Sequence, residues 1–310
     1  MEFLKFLEGI RTPLGELFFL FVTYGGEELT LFGIIGVLYW CIDRRLAYRM
    51  TFAYLLSALP VNSLKMLCRV ERPWVRDPSF TAVERARASA TGYSFPSGHT
   101  QNATALFGTL SWTRKKTWQK ILLFLIIPMV MFSRMYLGVH TPADVLASFF
   151  ISLVLVSVLN LIADRVVLAE KHRLIIMLII MIPAAVTFFY SLYSYRSGAL
   201  TYANTADAFK GVGGGIGFAL CWYLENTYIN FDTRCKHIGL QFLKVGIGLA
   251  GVLIFKSGIK ALFGSNFFTD AFRYFCVMLW AMLAMPLLIQ KFFSVDSAEK
   301  KKEPAHADNI

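Results

Sequence analysis

The sequence is short of charged residues and of cysteine, and each shortage excludes a class of protein. Only 16% of the 310 residues are charged while 56% are apolar, so the chain is too apolar for an ordinary soluble domain. Its five cysteines show no metal-like spacing, and an odd number cannot all pair in disulfides. We therefore expect a polytopic helical membrane protein whose thiols are free and buried.

We also expect no removable signal, and the sequence shows no repeat of fixed period and no basic face for nucleic acid. Residues 1–13 mix four charged residues with apolar ones, which is typical of an amphipathic helix at the membrane interface rather than of a signal peptide. The net charge of +11 falls in short clusters between apolar runs, so no nucleic-acid partner is predicted. The glycine pattern at 246–251 lies inside an apolar run, where it indicates helix packing instead of dinucleotide binding.

Nine apolar runs are long enough to cross a bilayer, which predicts an all-α fold with about nine transmembrane helices. They cover 18–42, 50–67, 98–112, 118–136, 141–163, 174–193, 206–224, 238–263 and 269–293. The first run is interrupted at 24–28 by Tyr-Gly-Gly-Glu-Glu, which would separate an interfacial piece from a span that begins near Leu29.

Positive residues between the runs set the orientation of the nine helices. The clusters on one side are 44–49, 114–120, 165–173, 234–236 and 300–302, and that side is expected to be cytoplasmic. The same count places the segments 69–97 and 133–144 on the external face, with six arginines that violate the positive-inside rule. Such a violation is tolerable if these cations bind an anionic ligand, so we expect a site on the external face.

Three polar motifs lie at that face, at 65–72, 96–99 and 133–144. The first two supply groups that can bind an anion. Lys65 and Arg72 lie two helical turns apart at the end of the second run and can share one side of a helix. The third run opens with Pro-Ser-Gly-His at 96–99. A small hydroxyl, a glycine and the free amides of a helix start suit phosphate.

The third segment, 133–144, joins Arg134 to a histidine and a carboxylate. Thr141 can cap a helix whose first position is Pro142, so a helix is predicted to begin just after His140. Asp144 then falls in its first turn, close enough to accept a hydrogen bond from one imidazole nitrogen of His140 and to free the other as nucleophile or base. Arg134 adds a planar, bidentate donor.

Each feature has an ordinary alternative when it is taken alone. A lysine near a helix end can snorkel, a Ser-Gly pair can be a helix cap, and an arginine at a membrane edge can meet lipid headgroups. The three spacings are complete and occur in order, which favours a site. Asp207 and Lys210, just before a glycine-rich stretch in the seventh run, are further candidates for its wall.

With its three motifs complete, the chain resembles the type 2 phosphatidic acid phosphatase superfamily of integral membrane lipid phosphatases. The resemblance covers about 29–163 and implies a six-helix phosphatase core. We therefore expect 1–197 to be that core with its interfacial helix, 198–294 to add transmembrane helices, and 295–310 to be a cytoplasmic tail. The Gly-Gly-Glu-Glu segment, the run at 39–43 and the three further spans look more like the sphingosine-1-phosphate phosphatase branch than the six-span enzymes.

The resemblance also implies a role for each motif residue. His140 would attack phosphorus to form a phosphohistidine, Asp144 would orient it, and His99 would protonate the leaving group and then activate water. The residues that would hold the phosphate are Lys65, Arg72, Ser97, Gly98 and Arg134. Because these fixed cations do what magnesium does in kinases, no metal and no other cofactor is expected.

The expected function is therefore hydrolysis of a lipid phosphate or pyrophosphate at the external face of the cell membrane. Undecaprenyl pyrophosphate, phosphatidic acid, phosphatidylglycerol phosphate and sphingoid-base phosphate are all candidates, and membrane lipids are the other expected partners. A lipid transporter or scramblase that keeps the cradle is the alternative, although binding alone needs only the cations and not the histidines. The last three spans could instead form a homodimer interface or a separate transport element.

Overall fold

The computed structural model describes residues 1–166, 172–235 and 237–293, and over these residues the chain is helical with no strand. Three expectations concern residues outside the described ones. They are Lys171 and Lys236 of the cytoplasmic clusters, and the tail at 295–310 with its lysines at 300–302.

In the described residues, the helices are numbered α1 to α13 in chain order. They are α1 (Glu2–Gly9), α2 (Pro13–Thr23), α3 (Glu28–Val37), α4 (Arg44–Cys68), α5 (Pro73–Arg76), α6 (Glu84–Arg87), α7 (98–113), α8 (Thr117–Tyr136), α9 (Pro142–Val166), α10 (Arg173–Arg196), α11 (Tyr202–Leu224), α12 (Ile238–Phe263) and α13 (Phe267–Phe292). Single π-helical turns follow α3 and α11, at Leu38–Ile42 and Glu225–Ile229. Others lie inside α7, α12 and α13, at Thr104–Gly108, Ile254–Gly258 and Trp280–Ala284.

Five of these helices, α8, α9, α10, α12 and α13, are long and apolar enough to cross a membrane, and the bent pair of α2 and α3 provides a sixth candidate. The chain is therefore a multi-pass membrane protein. The other three predicted spans coincide with α4, α7 and α11, which are shorter or less apolar. In α4, 13 of the 25 residues are buried, so this helix packs mostly against protein, where polar side chains are tolerated. The total of nine spans stays a prediction.

The first predicted span is broken, as the sequence at 24–28 indicates. α2 and α3 meet at a bend of 52°, and a short 3₁₀ turn at Tyr24–Gly26 joins them. At the bend the chain runs against α7, because a Cβ atom on Gly26 would lie only 2.6 Å from the backbone oxygen of His99. This approach, which needs glycine, carries the following carboxylate, Glu27, to the start of α7.

α1 is helical, as predicted, but part of its apolar face is covered by protein. Leu4 and Leu7 are 1% and 2% exposed and belong to a cluster that includes Phe80, from the loop between α4 and α7. Phe3 and Phe6 remain exposed. α1 therefore does more than lie at the membrane interface, because it also fixes the loop around Phe80.

The carboxyl-terminal helices pack closely because the glycine-rich stretch of α11 lets backbones approach. A Cβ atom on Gly213 would lie 1.9 Å from the backbone oxygen of Ala271 in α13, and one on Gly217 would lie 2.9 Å from the Met278 side chain. The small-residue spacing at 211–217 is thus a helix-packing surface, as the sequence indicates. α11 also packs against α4 and α10, which carries its own polar residues to the centre of the bundle.

We expect Gly213→Ala to lower the thermal stability of the detergent-solubilised protein, because the added methyl group would meet a backbone oxygen that cannot rotate aside. Overpacking of this kind costs about 1–3 kcal/mol. The matched control is Gly214→Ala, whose methyl group would meet only the tip of Met278 at 3.9 Å and which gains roughly 1 kcal/mol of helix propensity. Equal melting temperatures for the two variants would contradict this account of the packing.

Candidate active site

The structure brings the three sequence motifs to one cavity of about 270 Å³. Lys65 reaches it from α4, Arg72 from the loop that follows, His99 from α7, Arg134 from α8 and His140 from the turn before α9. Other polar or small residues that line the cavity are Glu27, Glu28, Asn62, Gly98, Asp207 and Lys210. Four cations, two histidines and three carboxylates therefore face one space.

His140 holds its two ring nitrogens in different environments. Its Nε2 atom lies 3.0 Å from Nη1 of Arg72, and because a guanidinium can only donate, Nε2 is the unprotonated acceptor. The ring proton is therefore on Nδ1, which faces Asp144 Oδ2 at 3.5 Å and Ser94 Oγ at 3.5 Å. Nε2 of His140 is thus unprotonated, and its lone pair accepts a hydrogen bond from Arg72. The role of nucleophile or base stays a prediction.

The protonation of His140 follows from its surroundings. Burial lowers the pKa of His140 well below its usual range, and the neighbouring Arg72 guanidinium lowers it further. His140 is therefore neutral at pH 7 and keeps the lone pair that an attack on phosphorus requires. Burial also lowers the pKa of Arg72 to about 10, so this guanidinium stays charged near neutral pH.

Asp144 is both a capping residue of α9 and the partner of His140. α9 begins at Pro142, as predicted. The Asp144 carboxylate accepts hydrogen bonds from the Thr141 amide at 2.7 Å and from Ser94 Oγ at 2.6 Å. Because Asp144 is only 1% exposed, these bonds fix the carboxylate, and the helix start sets its distance from His140.

Arg134 has two guanidinium nitrogens that remain available to a ligand. Its side chain is fully buried and its Nη1 donates to Thr23 Oγ1 at 2.8 Å. Its Nε and Nη2 atoms have no hydrogen-bond partner, although Arg134 lines the cavity. Buried donors are almost always paired, so these two atoms point to an anion as the missing partner.

Arg72 differs from Arg134 because most of its N–H groups already donate hydrogen bonds within the protein. Nε donates to the backbone oxygen of Gly92 at 3.1 Å, Nη2 to that of Thr91 at 2.7 Å, and Nη1 to that of Val139 at 3.0 Å as well as to His140. Of the five N–H groups of a guanidinium, one remains for a phosphate oxygen. Arg72 therefore positions the loop and the nucleophile as well as facing the cavity.

Gly98 and Ser97 have separate places in the cradle. Gly98 lines the cavity, and a Cβ atom there would lie 3.6 Å from Nζ of Lys65. Ser97 is buried, and its hydroxyl caps α7 by accepting from the Thr100 amide and hydroxyl at 3.4 and 3.1 Å. Its backbone amide donates to the backbone oxygen of Asp144 at 3.1 Å. The Ser97 side chain thus stabilises the start of α7, and the Ser97 backbone amide joins α7 to α9.

His99 has a carboxylate partner that sequence reasoning missed. Glu27 Oε1 lies 3.4 Å from Nε2 of His99, and it comes from the bend between α2 and α3. The signal in the sequence is a pair of glutamates inside an apolar run, since ionisable residues at membrane depth mark functional sites. The sequence does not show the 52° bend that places Glu27 beside His99.

The remaining carboxylates of the cavity also have partners. Asp207 Oδ1 accepts from Lys210 Nζ at 2.7 Å, and its Oδ2 accepts from Thr91 Oγ1 at 3.1 Å, so both candidates from α11 do reach the cavity wall. Glu28 lies 3.4 and 3.2 Å from two tyrosine hydroxyls. Among the residues that the structure describes, no group of three or more His, Cys, Asp or Glu side chains is placed to hold a metal ion.

Two family profiles match this chain. Residues 46–168 match the profile described as PAP2 superfamily, and residues 209–299 match the one described as PAP2 superfamily phosphatase, transmembrane extension. The first match includes all three motifs. The second includes most of α11 together with α12 and α13.

Individual proteins are similar to parts of the chain. Phosphatidylglycerophosphatase B of Bacillus subtilis is 30% identical over 119 residues, which are 35% of this chain and 57% of that protein. Phosphatidylglycerophosphatase B of Escherichia coli K12 is 39% identical over 79 residues, 24% of this chain and 31% of that protein. The chain therefore spans about half of the first relative and a third of the second. The crystal structure of Aquifex aeolicus LpxE, at 26% identity and a TM-score of 0.46, covers 52% of this chain and 93% of its own.

We expect Arg134→Lys to weaken the binding of orthovanadate by roughly tenfold, because lysine keeps the charge but loses the planar fork of donors. Calorimetric titration of the detergent-solubilised protein in excess EDTA measures this affinity. The control is Arg85→Lys, since Arg85 is exposed and outside the cavity. Unchanged affinity in Arg134→Lys, or loss of wild-type binding in EDTA, would contradict an anion site built from the fixed cations.

Proposed function

The chain belongs to the PAP2 superfamily, and we propose that it is an integral membrane phosphatase that hydrolyses a lipid phosphate through a phosphohistidine intermediate. The observation that carries the proposal is the pairing of two features in one cavity. Arg134 is buried with two donors lacking partners, and His140 is a buried imidazole with an unprotonated Nε2. A cavity with unpaired cationic donors beside a neutral nucleophile suits phosphoryl transfer.

In the first step, Arg134, Lys65 and the Gly98 amide hold the phosphoryl oxygens, and the Nη1 donor of Arg72 passes from His140 to the substrate. Nε2 of His140 then attacks phosphorus as the bond to the lipid oxygen breaks. Asp144 supports the positive charge that develops on the imidazole. His99, in its protonated form, gives its proton to the leaving oxygen.

In the second step, neutral His99 takes a proton from water, and the resulting hydroxide attacks phosphorus. The P–N bond to His140 breaks, inorganic phosphate leaves, and His99 is again protonated. Glu27 orients His99 and stabilises its protonated form in this cycle, since a carboxylate beside an imidazole favours the charged state. The fixed cations stabilise the phosphoryl charge in both steps, and the proposed reaction needs no metal ion.

The substrate is proposed to be a lipid because helices of a multi-pass membrane protein, α4, α7, α8 and α11, line the cavity. The E. coli and B. subtilis relatives are named for phosphatidylglycerophosphate, which keeps this lipid among the candidates together with phosphatidic acid, sphingoid-base phosphate and undecaprenyl pyrophosphate. A transporter that only binds such lipids would need the cations alone. The carboxylate partners of His99 and His140 support turnover instead.

We expect His140→Ala to abolish phosphate release and to remove a base-stable, acid-labile phosphoenzyme that rapid quenching traps in the wild type. His99→Gln should slow hydrolysis of a lipid phosphate by about 10²–10⁴-fold, the usual contribution of a general acid. It should spare the first turnover of p-nitrophenyl phosphate, whose leaving group needs little protonation. His172→Ala is the control, because His172 is exposed and not in the cavity. Phosphate release by His140→Ala would refute the phosphohistidine.

The orientation of the site is part of the proposal. α4 runs from the basic cluster at 44–49 towards Lys65, and α8 runs from the cluster at 114–116 towards Arg134. At about 1.5 Å per residue, these helices separate the clusters from the site by roughly a bilayer thickness. The positive-inside rule then places the site on the extracytoplasmic face of the cell membrane.

Cysteine accessibility in intact cells tests this orientation, on a background without the five native cysteines. We expect cysteines introduced at Ser79 and Ser89 to react with an impermeant maleimide and one at Thr117 not to react. All three positions are exposed in the structure, so a difference between them reports the side of the membrane. The reverse pattern would place the site in the cytoplasm and exclude substrates of the outer leaflet.

A further inference from the structure

Other polar residues line the same cavity as the phosphate-binding side chains and form a second wall. Asp207 and Lys210 of α11 and Asn62 of α4 line this part. Gly211 of α11 faces Asn62 of α4 here, since a Cβ atom on it would lie 3.7 Å from the Asn62 amide nitrogen. The Asp207 and Lys210 side chains are 38% and 23% exposed, so a ligand in the cavity can reach them.

The charged side chains of the cavity are engaged to different degrees. Lys65, Arg72 and Arg134 line the same cavity as His140. Lys210 is neutralised by Asp207, at 2.7 Å, and the carboxyl group of Glu28 also lines the cavity. A second phosphate beside Asp207 and Glu28 would bring negative charge to two carboxylates, whereas hydroxyl or ammonium donors would meet acceptors there.

The second wall is also connected to the nucleophile. Asp207 accepts a hydrogen bond from Thr91 Oγ1 at 3.1 Å. The backbone oxygen of the same Thr91 accepts from Nη2 of Arg72 at 2.7 Å, and Arg72 contacts Nε2 of His140. A group bound at Asp207 is therefore connected to His140 through two residues, Thr91 and Arg72.

We infer that Asp207, Lys210 and Asn62 form a subsite for the leaving group. It binds hydrogen-bond donors, hydroxyl or amino, on the alcohol that carries the phosphate. The substrate class is thus a lipid monophosphate with a donor substituent beside the ester, rather than a polyprenyl diphosphate. This inference rests on the proposed phosphatase function, and it gives α11 a part in choosing the substrate.

The test compares kcat/KM of the full-length protein in mixed micelles for four substrates. Three have matched chain length: an n-alkyl phosphate, a monoacylglycerol phosphate with a free hydroxyl, and a long-chain 2-amino-alcohol phosphate. The fourth is a polyprenyl diphosphate. We expect the wild type to prefer the two donor-bearing monophosphates over the alkyl phosphate by about 10- to 100-fold, and to act least on the diphosphate.

Asp207→Asn should remove most of that preference, so that the ratio of kcat/KM between the donor-bearing substrates and the alkyl phosphate falls towards one, with the larger fall for the amine. Asn62→Ala, which leaves the ion pair intact, should reduce the preference in the same direction and serves where Asp207→Asn does not fold. Asp164→Asn is the control, because Asp164 is 75% exposed and pairs with Arg49 at the other end of α4.

The outcomes separate the subsite from the phosphatase function. An equal loss for all substrates in Asp207→Asn, or a wild-type preference for the alkyl phosphate or the diphosphate, would overturn the subsite while leaving the phosphatase intact. Phosphate release from none of the four substrates would overturn the proposed function, and the subsite with it.

Discussion

The burial of Arg134 is the constraint on which the rest of the site depends. A permanent cation at membrane depth is unfavourable unless it is paired, and Thr23 supplies a bond to only one of its nitrogens. The backbone of the same residue is fully engaged, since its carbonyl oxygen accepts from the amides of Val139 and His140 at 3.1 and 3.3 Å. One residue thus supplies two unpaired donors to the cavity and shapes the turn that carries His140, the proposed nucleophile, which couples the charge of the site to its geometry.

Hydrogen bonds to the backbone also join α7, which carries His99, to α9, which follows His140. The Ser97 amide donates to the Asp144 carbonyl, and Ser148 of α9 donates to the Ser97 carbonyl at 2.6 Å. Because these groups are buried, the start of α7 and the start of α9 move as one body. These bonds restrain the positions of His99 and His140 relative to each other, and the proposed phosphoryl transfer depends on such positioning.

The convergence of the motifs could be predicted from the sequence because each motif lies at the end of an apolar run, where topology alone brings it to one face. The start of α9 at Pro142 followed from capping rules, and the two profile matches confirm the family resemblance. The partner of His99 could not be predicted, because the position of Glu27 depends on a bend angle that hydropathy does not encode. Hydropathy also understates α4, whose Thr51 and Ser57 side chains are buried against protein. The inward orientation of the Ser97 hydroxyl depends on packing, which the sequence does not show.

The contact between Arg72 and Nε2 of His140 has a consequence for the reactivity of this histidine. A lone pair that already accepts a hydrogen bond from a guanidinium is shielded from protons and from stray electrophiles. In the proposed reaction, only a ligand that attracts the guanidinium away can expose it, and an anion does so by binding. In the resting protein Nε2 of His140 is therefore blocked by Arg72, and the phosphate that is to be cleaved is also the ligand that exposes it.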